Sequence, residues 1–203
     1  MVRAISVLLL GLSFLPMAQA NLLVNGGFEM GDFAGWTQSG WFIETLNPNS
    51  GVYDASTGCS GVSCTTVGDP NAAFLYQDVA TTPGSTYDLS FFYGSGQLPT
   101  SGSELLVLWG DPTAPSLSTV VDFANVDTSG AYVQYTGMVS ATSAISQLEF
   151  LGRQDLDFYY LDDVSLTAGP VSSVPEPSSL TLMLSFLSIG AGLSRLRGRC
   201  RLR

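Results

Sequence analysis

Glu104-Leu105-Leu106-Val107-Leu108-Trp109 carries apolar side chains on both alternations: Leu105, Val107 and Trp109 on one, Leu106 and Leu108 on the other. Successive residues of a β-strand point to opposite faces. This run therefore reads as a central strand, with one face in a core and the other lining a groove or covered by a loop. Similar β-rich runs occur on either side of it. Leu22-Leu23-Val24, Trp41-Phe42-Ile43, Ala73 to Val79 and Tyr87 to Tyr93 precede it; Thr119 to Phe123, Ala131 to Val139, Gln147 to Gly152 and Phe158 to Leu166 follow. In Tyr132 to Val139 polar residues interrupt the run, which predicts one wet face. Gly, Pro, Asn, Asp and Ser separate the runs, and no amphipathic helix interrupts them between Asn21 and Thr167. Eight or nine short strands with turns between them predict an all-β fold, a jelly-roll β-sandwich spanning residues 21–167.

The two ends of the chain read as addresses. Met1-Val2-Arg3 is a positive n-region, Ala4 to Leu15 an apolar stretch, and Ala18-Gln19-Ala20 a small-residue cleavage site. Residues 1–20 thus form a signal peptide for signal peptidase, and the mature chain begins at Asn21. At the other end a Pro/Ser linker over residues 168–179 contains Pro175-Glu176-Pro177. Residues 180–203 follow, with an apolar run and then Arg195, Arg197, Arg199, Arg201 and Arg203. From Leu180 to Ser194 a helix would be about 23 Å long, short against a hydrocarbon core of about 30 Å. It fits a short permanent anchor or a transient one. Arginines stay on the cytoplasmic side, which leaves residues 21–174 outside.

This tail resembles the PEP-CTERM sorting signal of exported bacterial proteins. The resemblance implies processing by an exosortase near Pro175-Glu176-Pro177, transient anchoring in the inner membrane, and delivery to the cell surface or extracellular matrix.

Composition narrows the chemistry. Residues 21–174 hold sixteen acids and one base, Arg153, a net charge of −15 against −10 for the whole chain. Nucleic acid is excluded as a partner, because phosphate binding needs clustered Lys and Arg. Calcium, which takes oxygen ligands, is compatible, although solubility alone accounts for most of such a charge. The chain has no His and no Lys. That removes Ser-His-Asp and Cys-His catalysis, His-ligated zinc and lysine Schiff bases. Only a carboxylate glycosidase remains as an enzymatic outsider, without a pair of defined separation. Cys59 and Cys64 bracket a four-residue turn and suit a local disulfide in an oxidising compartment, whereas Cys200 lies beyond the apolar run.

Three stretches carry a second resemblance: Asn21-Leu22-Leu23-Val24-Asn25-Gly26-Gly27-Phe28-Glu29, Leu75-Tyr76-Gln77 followed by Pro83 to Phe91, and Tyr160-Leu161-Asp162-Asp163-Val164-Ser165-Leu166. Together they resemble jelly-roll carbohydrate-binding modules of the CenC-like, family 4/9/22 kind. The resemblance implies that the first and last strands meet and that a structural calcium sits on Glu29 and Asp163, with Asp162 as the alternate. Strand parity places Asp162 with Val164 and Leu166, and Asp163 with Leu161 and Ser165. It also implies binding of extracellular polysaccharide through exposed aromatic rings. Trp41, Tyr93, Trp109 and Tyr159 are the candidates, with Gln97 and Arg153 as polar partners and Trp36 as a packing residue. The expected function is non-catalytic polysaccharide binding. The alternative is a structural or adhesive matrix protein without a sugar site.

Overall fold

The computed structural model describes residues 19–58, 67, 72–96, 102–154 and 157–169. The signal peptide through residue 18, Cys59, Cys64, Gln97 and the sorting tail from residue 170 lie outside them. Ten strands are present: β1 (Thr37–Ser39), β2 (Trp41–Glu44), β3 (Asp54–Gly58), β4 (Ala73–Ala80), β5 (Thr86–Ser95), β6 (Glu104–Gly110), β7 (Ser118–Ala124), β8 (Val133–Ser140), β9 (Ile145–Arg153) and β10 (Phe158–Ala168). They form two five-stranded antiparallel sheets. Sheet A has the order β1-β4-β9-β6-β7 and sheet B the order β2-β3-β10-β5-β8. The last two strands in sequence, β9 and β10, occupy the centre of each sheet.

Alternation along the strands builds the core between the sheets. Leu75, Leu105, Val107, Leu148 and Phe150 of sheet A meet Ala55, Leu89, Phe91, Leu161, Val164 and Leu166 of sheet B, all fully or almost fully buried. Phe91 meets Phe150 edge to face across the interface, with centroids 5.2 Å apart. Such pairing adds to the burial of apolar area, which dominates the stability of a sandwich.

Two differences from the sequence reading have physical causes. Leu22-Leu23-Val24 is not a strand. The segment instead makes isolated bonds to β10, with the Leu22 amide donating to the Leu166 carbonyl at 2.8 Å and the Val164 amide to that of Gly26 at 2.8 Å. Asn21 completes this seam through its side chain, donating to the Val164 carbonyl and accepting from the Leu166 amide. Conversely, β3 has no apolar run to announce it. Asp54, Ala55, Ser56 and Thr57 are all buried between β2 and β10. Its hydroxyls are satisfied by neighbouring backbone: the Ser56 hydroxyl donates to the Tyr159 carbonyl and that of Thr57 to the Gly40 carbonyl.

Candidate functional site

The outer face of sheet A is a ruled grid of side chains. Antiparallel register sets Phe74 of β4 beside Leu151 of β9, Tyr76 beside Glu149, and Asp78 beside Gln147. On the far side of β9, Leu106 of β6 lies beside Leu151 and Leu108 beside Glu149. Phe74 and Tyr76 stack with centroids 5.9 Å apart. The Gln147 amide donates to Asp78 at 2.9 Å. The turn after β6 walls this face with Pro115 and Leu117, leaving a groove of about 470 Å3 over Phe74, Leu108, Gln147 and Glu149. Of the two outcomes open for the second apolar face of β6, a groove or a covering loop, Leu108 takes the first, with the turn as one wall. Burial among these neighbours pushes the Glu149 carboxyl above the usual carboxylate range. Two half-buried aromatic rings, an apolar strip, a carboxylate and an amide are the elements that grip a pyranose through its C–H faces and hydroxyls.

The aromatic residues singled out from sequence are elsewhere, in the core. Trp41 and Trp109 are each 4% exposed, Tyr93 6% and Tyr159 0%. Inward parity is the reason, since each is on the sandwich-facing side of its strand. The Trp109 indole donates to the Ser140 carbonyl at 2.9 Å, and Tyr93 stacks on Phe123 with centroids 4.1 Å apart. These rings therefore present no stacking platform. Trp36 packs as expected, against Phe28 and Phe150. Arg153 lies at the end of β9 beside Glu104 of β6, on the outer face of sheet A. Sequence reading missed Phe74, Tyr76, Gln147 and Glu149. The alternation of Phe74 and Tyr76 with buried Leu75 was the available signal.

Glu29, Asp162 and Asp163 do converge, on one loop. A bulge in β10 between Asp162 and Ser165, with Asp163 at φ +50°, breaks strand parity and brings Asp163 onto the same side as Asp162. The Asn49 and Ser50 amides donate to Asp162 Oδ2 at 2.9 and 3.1 Å. Asn49 Nδ2 and the Ser50 hydroxyl donate to Asp163 at 2.8 and 2.9 Å. Glu29 receives the amides of Val52 and Tyr53 at 2.9–3.0 Å. A Cβ on Gly51 (φ +65°) would collide with the Glu29 carboxylate, so glycine is required there. Burial raises the Asp162 carboxyl to about 6 against the opposing pull of these donors.

The calcium implied by the resemblance needs about six to eight converging oxygen ligands. These three carboxylates face N–H and O–H donors instead, and among the described residues no group of three or more acids is arranged to hold a metal ion. As arranged, they clasp the loop over residues 45–53 and do not fit a calcium cage.

Comparison with known proteins places the fold. No family model matches the chain, and no curated protein matches it. Solved structures do. A family 61 carbohydrate-binding module (TmCBM61), in complex with β-1,4-galactotriose, superposes with a TM-score of 0.50 at 18% identity, over 74% of this chain and 99% of that one. A family 16 carbohydrate-binding module gives 0.51 at 18% identity over 72% and 99%. The CBM22-1 xylan-binding domain of Paenibacillus barcinonensis Xyn10C gives 0.54 at 18% identity over 74% and 96%. The protein thus has the jelly-roll fold of carbohydrate-binding modules, with a groove across one sheet.

Proposed function

We propose that this chain is an exported, non-catalytic polysaccharide-binding module that holds glycan along the outer face of sheet A. The stacked Phe74–Tyr76 pair beside Glu149 is the observation that carries the reading. The rings take the apolar faces of successive sugars, Leu106, Leu108 and Leu151 continue that strip, and Glu149 and Gln147 accept and donate to hydroxyls. The galactotriose and xylan named for the similar structures make a β-linked, uncharged chain the first ligand to try. Export through the signal peptide and sorting through Pro175-Glu176-Pro177 and the terminal arginines would put this groove among surface polysaccharides. Retention of the full chain on a panel of insoluble glycans is the test. Phe74→Ala and Tyr76→Ala should each weaken retention on whichever glycan binds. Retention unchanged in both variants would sink the reading. Deleting residues 175–203 should release the protein to the medium if the tail sorts it.

A further inference from the structure

Sheet B also has an outer face, and its floor is unusual. Register sets Glu44 of β2 directly opposite Asp54 of β3. Opposed residues on antiparallel strands share a face with Cβ atoms about 5 Å apart. Asp54 is wholly buried, yet its Oδ1 accepts no hydrogen bond; Glu44 Oε1 is likewise buried and without a partner. The other oxygen of Asp54 accepts from the Tyr132 hydroxyl at 2.7 Å. Tyr132 lies 6.4 Å from Tyr160, ring to ring. Above this floor Phe42 and Phe158, each 39% exposed, meet edge to face with centroids 5.3 Å apart.

We propose that this face is a second binding site, in which Glu44, Tyr132 and Tyr160, lying over the buried Asp54 carboxylate, receive the protonated amino group of an amino sugar. Charge decides the class. The two carboxylates repel each other, and Asp157 and Asp162 add to the negative field around the tyrosines. Burial raises both carboxyls, and the neighbouring aspartates raise that of Glu44 further, while the Tyr132 hydroxyl opposes the shift at Asp54. The sole base among the described residues, Arg153, is on the outer face of the other sheet, so no cation among them neutralises the pair. A neutral sugar would leave the charge in place. A uronic-acid polymer would be repelled. An ammonium group brings three N–H donors and a positive charge, and tyrosine faces favour it further. Phe42 and Phe158 supply apolar surface for the ring that carries it.

Titration calorimetry of the full chain with a glucosamine oligomer tests this. The same oligomer after N-acetylation and the sugar-free amine spermidine serve as the other arms. With the sheet A groove disabled by Phe74→Ala, the glucosamine oligomer should bind, more weakly as salt is added, and its N-acetylated form should not. Glu44→Gln and Asp54→Asn should each cost about tenfold or more in affinity. Both remove one of two facing buried charges, so melting temperature should hold or rise. Phe158→Ala, at an exposed ring, should also weaken binding and guards against a misfolded core variant. Phe74→Ala should leave glucosamine binding intact, which separates this site from the groove of sheet A. Equal binding of the N-acetylated oligomer, spermidine binding as tightly as the sugar, or full affinity in both carboxylate variants would each overturn the assignment.

Discussion

Phe74 and Tyr76 stand two residues apart on β4, their stacked rings inclined by 29° on the outer side of sheet A, while Leu75 between them is fully buried. The outward rings can be cut away with little effect on the core. Each alanine variant should lose about 1–2 kcal/mol of glycan binding, roughly tenfold in affinity. Thermal unfolding beside the binding isotherms checks this: affinity should fall while the melting temperature moves by only a few degrees.

Trp41→Ala and Trp109→Ala should behave in the opposite way. Both indoles fill the space between the sheets, so each truncation should cost about 3–5 kcal/mol of stability. Urea midpoints read the loss directly. Near-native midpoints with selectively weakened glycan binding would return these rings to the role of sugar platforms.

The clasp on residues 45–53 predicts where protection is lost. Glu29→Ala strips the acceptor from the Val52 and Tyr53 amides, so hydrogen exchange should accelerate at those two positions first. Stability should fall by about 1–3 kcal/mol. Because N–H groups fill the carboxylates, neither calcium nor a chelator should move the melting temperature of the wild-type chain. A calcium-dependent rise abolished in Asp163→Ala would show that the loop opens to admit the ion.

Stability should also depend on pH in an unusual sense. Asp162 titrates at about 6 in the folded chain against an ordinary value of 3.8. The folded state therefore takes up this proton first, and stability rises as pH falls through about 6 toward about 4. Above about pH 6 that added stability is absent. Burial shifts Glu44, Asp54 and Glu149 in the same direction. The melting temperature should be higher near pH 5 than near pH 7, and a steady decline over that interval would contradict the account.

Much of the fold was legible because apolar alternation is a strong signal where it exists. Strands β4 to β10 were all anticipated, and the two apolar faces of β6 announced a groove or a covering loop. Strand β3 was hidden because its buried side chains are mostly polar, and with it went Asp54. The partnership of Asp54 with Tyr132 spans 78 residues, a distance over which no local pattern operates. Parity sorts side chains into two faces without saying which is inside, so the largest aromatics were assigned to the wrong one. At Asp163 parity itself failed, because a single bulge shifts the phase of the strand. The loop clasp was half visible: the resemblance to carbohydrate-binding modules implied that Glu29 would meet the aspartate pair, but not that backbone amides would stand between them.

The central positions of β9 and β10 set an order on assembly. A chain delivered from its N-terminus through a narrow channel cannot complete either sheet until residues 145–168 have emerged, because both sheets lack their middle strand until then. Asn21, among the first to arrive, waits for partners at Val164 and Leu166. On the export route proposed above, the polypeptide would stay threadable until β9 and β10 emerge and give each sheet its centre.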